Sequence, residues 1–291
     1  MIASAALNAG PAEDMEQITL GLGTAVMVSI GCPHSNGPNE DTATIVPVGR
    51  TRGLLAVADG LGGRPGGEIA SQIAVDALQT CVGVRRHASK PLRTAILEAV
   101  DDANAKILEL GIGAGTTLAV AEISETGIRG YHIGDSEILA FGRGGRIKYQ
   151  TVSHSPTSYA VESGLLDAAE ALHHEDRHLV SNTLGDPGMR IEIGSWVGLA
   201  SKDTVVVGTD GLFDNLCREE IAACARVGDL RDAARRLADA CLSRMLHPLA
   251  GQPSKPDDLT FVLYRRRASS RLQHLERAHP GADDARDWPR P

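Results

Sequence analysis

Apolar residues along this chain fall into two rhythms. Short β-branched runs bounded by turn residues predict strands at Thr24–Ile30 (TAVMVSI), 43–48 (ATIVPV) and 53–59 (GLLAVAD). From 68 to 82 the apolar positions Ile69, Ile73, Val75, Ala77 and Leu78 recur at helical spacing. A second helix is predicted over 91–110, with Pro91 in its first turn and Gly111 just past its end. Strand patterns then return at 116–123, 127–133, 136–142 and 146–152, divided by ETG, GDS and RGG, which predicts consecutive antiparallel hairpins. Residues 155–190 are polar and His-rich and predict short helices and loops. Beyond them lie strands at 191–197 and 203–211 and helices at 217–227 and 230–246. The last helix carries Leu230, Ala234, Leu237, Cys241 and Met245 on one face. A strand at 257–264 closes the pattern.

Batches of strands alternate with batches of helices, and no regular strand–helix–strand repeat occurs. The expected class is therefore α+β, with layered antiparallel sheets and helices outside. Residues 1–16 are small and acidic and read as a loose arm. Residues 17–266 form one domain with a flap-like segment at 153–190. Residues 267–291 are charged and poor in apolar side chains, the composition of a disordered tail.

Composition narrows the function. Aromatics make up only 3%, so the core must be built from Val, Ile, Leu and Ala. With 29 basic and 37 acidic residues the net charge is −8, which argues against a nucleic-acid partner. The five cysteines are dispersed without CxxC spacing, as small buried hydrophobes in a reducing compartment. The first residues lack the charged and apolar regions of a signal peptide, and no run approaches membrane-spanning length. The expectation is a soluble, cytoplasmic monomer with no membrane partner.

The chemistry gathers at strand ends. Asn39-Glu40-Asp41 precedes a strand, Asp59-Gly60 and Asp210-Gly211 each follow one, Gly134-Asp135-Ser136 separates two, and Asp257-Asp258 opens the last. A single Asp-Gly is ordinary turn chemistry. If the ends converge, the carboxylates raise one another's pKa unless a cation intervenes, and an all-oxygen donor set suits Mg²⁺ or Mn²⁺. Without a β-carbon, Gly60 could turn its carbonyl toward a metal. Periodicity leaves turn and metal site both open.

The ordered set NED (39–41), VADGLGG (57–63) with GGEIAS (66–71), GTT (115–117), HIGDSE (132–137), GTDGLFD (208–214) and DDLT (257–260) resembles the metal-dependent, type 2C serine/threonine protein phosphatases of bacteria over roughly residues 20–265. The resemblance implies a four-layer α-β-β-α sandwich of two antiparallel sheets flanked by helices. It implies hydrolysis of phosphoserine and phosphothreonine in proteins, the targets of a serine/threonine kinase, by a water bridging two Mn²⁺ or Mg²⁺ ions. Position by position, Asp59 resembles the carboxylate bridging both metals and Gly60 the carbonyl ligand of the second. Asp210 and Asp257 resemble ligands of the first. Glu40 and Asp41 match the pair that orients metal-bound waters, and Asp135 the aspartate that helps hold a third, weaker ion. Asp59, Asp210 and Asp41 are thus the expected catalytic centre. Asp258 stands where the family often has Asn and is assigned no metal bond.

Departures keep a second reading in view, a phosphatase-like module that binds phosphoprotein without turnover. Asn36 occupies the position where the family commonly has a phosphate-holding arginine, and Arg64 or Arg50 would have to substitute. Ser153 replaces the aspartate of the usual Asp-His-Ser, leaving His154-Ser155. His174-Glu175-Asp176-Arg177-His178 spells HExxH, a zinc-protease pattern when helical, but its charged interior fits a polar flap better. His132 reads as a hydrogen-bonded core histidine, and Cys32 as structural.

Overall fold

The central strands of this protein are apolar on both faces because both faces are covered. The computed structural model describes residues 3–5, 15–84, 91–171 and 174–267. One sheet has the order β1-β4-β5-β6-β7-β10, with β11 also on β7. Its strands are β1 (Ala3–Ala5), β4 (Asp41–Val48), β5 (Arg52–Asp59), β6 (Leu118–Ile123), β7 (Gly127–Ile133), β10 (Glu192–Ile193) and β11 (Val197–Gly198). The other sheet has the order β2-β3-β13-β12-β8-β9. It is built from β2 (Glu16–Leu20), β3 (Gly23–Ile30), β13 (Leu259–Arg266), β12 (Thr204–Gly208), β8 (Glu137–Phe141) and β9 (Ile147–Gln150). Every strand pairing among the described residues is antiparallel.

The two-residue period of a strand decides where each side chain goes. On β5, Leu54, Ala56 and Ala58 join the cluster under helices α1 (Gly67–Val84) and α2 (Leu92–Glu109). The alternate residues Leu55 and Val57 point into the core between the sheets. On β12, Val205 and Val207 enter that same central core. Val206 turns outward to the cluster that includes α6 (Arg218–Ala225) and α7 (Leu230–Leu246). Three apolar layers thus separate four layers of structure, helices, sheet, sheet, helices, which is the expected sandwich. Each large aliphatic side chain buried this way contributes roughly 1.5–3 kcal/mol.

Several expectations change. Ala3–Ala5 is paired with β4 and β2 already begins at Glu16, so the N-terminal stretch is no free arm where it is described. Residues 268–291 of the expected tail lie outside the described residues. The four strands from 116 to 152 are not consecutive hairpins: β6 pairs with β7 and β8 with β9, but β7 and β8 belong to different sheets. The chain crosses between sheets at Gly134-Asp135-Ser136. The single strand expected at 191–197 is two short ones, because after the bond from Gly194 N to Gly130 O (2.9 Å) Ser195 and Trp196 leave the ladder between β10 and β11. β12 ends at Gly208, and Asp210 opens a short helix, α5 (Asp210–Phe213). The flap region holds α3 (Pro156–Glu162), α4 (Ala168–Ala171) and a one-turn 3-10 helix at Glu175–His178. Among the described residues no helix is long and apolar enough to cross a membrane.

Candidate metal centre

Sheet register brings the acidic strand ends to one edge of the sandwich. Asp41 and Asp59 are directly opposite residues of the β4–β5 ladder. The backbone of Asp59 is then locked to the Thr116-Thr117 pair: its N–H donates to Thr117 Oγ1 (3.1 Å), and its carbonyl accepts from Thr117 N (2.8 Å) and Thr116 Oγ1 (2.7 Å). In the other sheet Gly208 at the end of β12 lies opposite Phe261 near the start of β13, so Asp210 and Asp257 emerge side by side. Asp135 arrives from the crossing between sheets. Glu40, Asp59, Asp135, Asp210, Asp257 and Asp258 all line one cavity of about 240 Å³, together with Gly60 and Thr117.

The electrostatics record this crowding. Burial pushes the Asp59 carboxyl well above the usual aspartate range, and the charges of Asp41, Asp210, Asp135 and Asp257 push it further. Asp41, 7% exposed, is raised by burial and then by Asp258, against a hydrogen bond donated by Thr209 Oγ1 (2.8 Å). Asp135 is raised by burial and then by Asp210 and Asp214. Asp257 is raised by burial and by Asp210, with Lys255 opposing. Glu40 is raised by burial, then by Glu68, Asp258 and Asp257. Such a cluster is unstable as a set of free anions and is relieved by a cation.

The residues present fit hard divalent ions. Every side-chain donor is a carboxylate oxygen, the chemistry of Mg²⁺ and Mn²⁺ sites. A β-carbon on Gly60 would sit 2.4 Å from the carbonyl group of Gly67 and 2.8 Å from Glu40 O, so only glycine allows the backbone to pass here. The 3.1 Å bond from Gly60 N to Glu40 O fixes that passage. A cation of the protein's own already stands in the cluster: the Lys255 ammonium contacts Asp210, Asp257 at 3.0 Å and Asp214 at 3.4 Å.

Neighbouring residues hold the edge together. Asp258 accepts from Cys32 N and Glu40 N, each at 2.7 Å, and so ties the loop before β4 to the start of β13. That bond enlists the backbone of Cys32. His154 Nδ1 accepts from Gly134 N (3.1 Å) and Asn182 Nδ2 (2.8 Å), joining the Asp135 turn to the flap. Two donors on Nδ1 place the proton on Nε2, which faces Glu192 at 3.3 Å. A protonated Nε2 has no lone pair for a metal, and His154 instead stacks on His132 with 4.4 Å between ring centroids, a buried structural contact. His132 keeps the expected core role, with Nε2 bonded to Val152 O at 2.8 Å. Ser155 caps α3 by accepting from Ser158 N, which gives His154-Ser155 its use without the preceding aspartate.

The substrate-phosphate candidates fare differently. Asn36 is exposed on the loop before β4 and does not line the cavity. Arg64 is exposed on the turn that follows Gly60, next to Gly62 and Gly63. Arg50 is excluded. β4 runs eight residues from Asp41, about 25 Å of extended chain, and Arg50 lies beyond its far end. The HExxH segment is a 3-10 turn in which His174 Nδ1 accepts from Asp176 N at 3.1 Å. The helix that a zinc-protease pattern requires is absent there. Sequence reading missed Asp214 and Lys255. Asp214 stands one helical turn after Asp210, a spacing that could have revealed it; nothing in the sequence distinguishes Lys255 from other surface lysines.

The profile of the protein phosphatase 2C family matches residues 31–249, and the chain belongs to that family. The protein phosphatase PhpP of Streptococcus pneumoniae is 28% identical over 204 residues, 68% of this chain and 81% of that one. The crystal structure of the Mycobacterium tuberculosis serine/threonine phosphatase PstP/Ppp superposes with a TM-score of 0.69 at 25% identity, over 84% of this chain and 98% of that one. The catalytic domain of PstP in complex with two manganese ions shares the fold, with a TM-score of 0.67 at 24% identity over 84% and 98% of the two chains.

Proposed function

We propose that this protein is a divalent-metal-dependent protein serine/threonine phosphatase, with Asp59, Gly60, Asp210, Asp257, Glu40, Asp41 and Asp135 forming the metal centre. The observation that carries the reading is the convergence of carboxylates from both sheets on one cavity whose charge calls for cations. Manganese or magnesium, when bound, supplies an acidified water and positive charge for phosphoryl oxygens. This chain's own contribution is placement. Asp59 is held at the sheet edge by Thr116 and Thr117, Asp41 is oriented by Thr209 Oγ1, and Asp258 sets the position of Glu40. Arg64 is the remaining arginine of the expected phosphate candidates. The names of the relatives support phosphoprotein substrates. We further read the protein as a cytoplasmic monomer opposing a serine/threonine kinase.

The test is hydrolysis of p-nitrophenyl phosphate and a phosphothreonine peptide with EDTA or with Mn²⁺. Activity is expected only with metal, and Asp59→Asn and Asp210→Asn should each lose at least about a hundredfold with unchanged circular dichroism. Full turnover in EDTA would sink the assignment. The exposed Asn36 favours a second reading, a phosphoprotein-binding module. Binding of the phosphopeptide without hydrolysis under any metal would select it.

A further inference from the structure

Lys255 is built into the centre from its backbone outward. Asn215, fully buried, accepts from Lys255 N through Oδ1 (2.9 Å) and donates through Nδ2 to Lys255 O (2.8 Å) and Gly211 O (2.9 Å). One side chain therefore fixes residue 255 against the residue that follows Asp210. From this anchor the ammonium reaches Asp210, Asp214 and Asp257 together. Asp59 lines the same cavity, but among the described residues no lysine or arginine is paired with its carboxylate. The two halves of the centre thus differ in their charge balance before any ion arrives.

We propose that Lys255 is a tethered counter-ion of the Asp210–Asp214–Asp257 group, which a divalent cation must displace, so that this residue sets the metal affinity of that half of the centre and makes it the weaker half. The inference rests on the metal-dependent reading above. Its physics is competition between like charges for the same carboxylate oxygens. The lysine competes as an intramolecular ligand and loses no translational freedom in binding. Among the described residues the Asp59–Gly60 half has no such ion-paired competitor.

Isothermal titration of the metal-free full chain with Mn²⁺, without substrate, tests this directly. Wild type should show a tight and a weak event. Lys255→Met, which keeps the aliphatic stem and removes the charge, should tighten the weak event tenfold or more and leave the tight one unchanged. Lys255→Arg should retain the weak constant of wild type. Lys255→Gln gives the same readout should the methionine variant not fold. Two events with the same constants in wild type and the neutral variants would overturn this inference alone. Absence of Mn²⁺ binding in every protein would overturn the metal-dependent reading and this inference with it.

Discussion

Two Asp-Gly pairs lie where strands give way to helices, Asp59-Gly60 at the end of β5 and Asp210-Gly211 at the start of α5 just past β12, and the two are stabilised differently. At the first, the backbone is clamped by the GTT threonines, while among the described residues the Asp59 carboxyl is paired with no lysine or arginine. At the second, the carboxyl is neutralised by Lys255, and the glycine is pressed against the neighbouring strand, where a β-carbon would meet Asp258 O at 1.9 Å. Identical dipeptides therefore do different work. One end stores uncompensated negative charge, and the other stores close packing around an internal ion pair.

Gly211→Ala forces a β-carbon into a backbone carbonyl that cannot move without shifting β13, and should lose about 3 kcal/mol in chemical denaturation. Gly60→Ala meets the Gly67 backbone at 2.4 Å and should lose somewhat less, about 2 kcal/mol. Equal tolerance of both alanines would contradict the close approaches described here.

Charge removal should sharpen the contrast by giving opposite signs. In EDTA at pH 8, Asp59→Asn removes a half-buried carboxylate with no ion-pair partner among the described residues and should raise stability, and with it the melting temperature, by about 1 kcal/mol. Asp210→Asn deprives Lys255 of a partner and should lower it by about 1–2 kcal/mol. Shifts of the same sign would show that the two halves are electrostatically alike.

The pH dependence of the metal-free protein follows from the same cluster. A carboxyl whose pKa is higher in the folded chain than in the unfolded one binds its proton more tightly when folded. The stability it lends is present at low pH and is lost as pH rises from the unfolded value through the folded one. For Asp214, raised by burial and then by Asp210, that window runs from 3.8 to about 7; Asp41, Asp59 and Asp135 shift in the same direction. Thermal melts in EDTA should therefore show decreasing stability from pH 5 to pH 8, and Mn²⁺ should restore it most at the upper end. A melting temperature that climbs steadily with pH in EDTA would contradict the raised values.

The smallest effect is expected away from both Asp-Gly pairs. His174→Ala removes a local contact in the 3-10 turn and should change phosphatase activity less than about twofold and stability within about 0.5 kcal/mol. A large loss of hydrolysis would assign the flap histidine a role that its geometry does not support.

Much of this architecture was legible as pattern. The β-branched runs became strands because alternate residues could be buried on both faces. Pro91 and Gly111 bracketed α2, with Gly111 at φ +65°, a conformation that favours glycine. The face Leu230, Ala234, Leu237, Cys241 and Met245 is buried as its spacing predicts. The acidic strand ends were visible as chemistry, and their order along the chain carried the family resemblance. These features are local, or depend on one residue type at one place, so the chain itself determined them.

What the tertiary structure decided is everything that depends on which strand lies beside which. Periodicity cannot say that β7 and β8 part company at Asp135, since either sheet offers the same apolar environment. It cannot see that Asp258 binds Cys32 across 226 residues, that Asn215 anchors Lys255, or that Arg50 lies at the wrong end of its hairpin. Those contacts arise when two sheets pack face to face and their edges coincide, and the energy that selects the arrangement comes from the whole core at once.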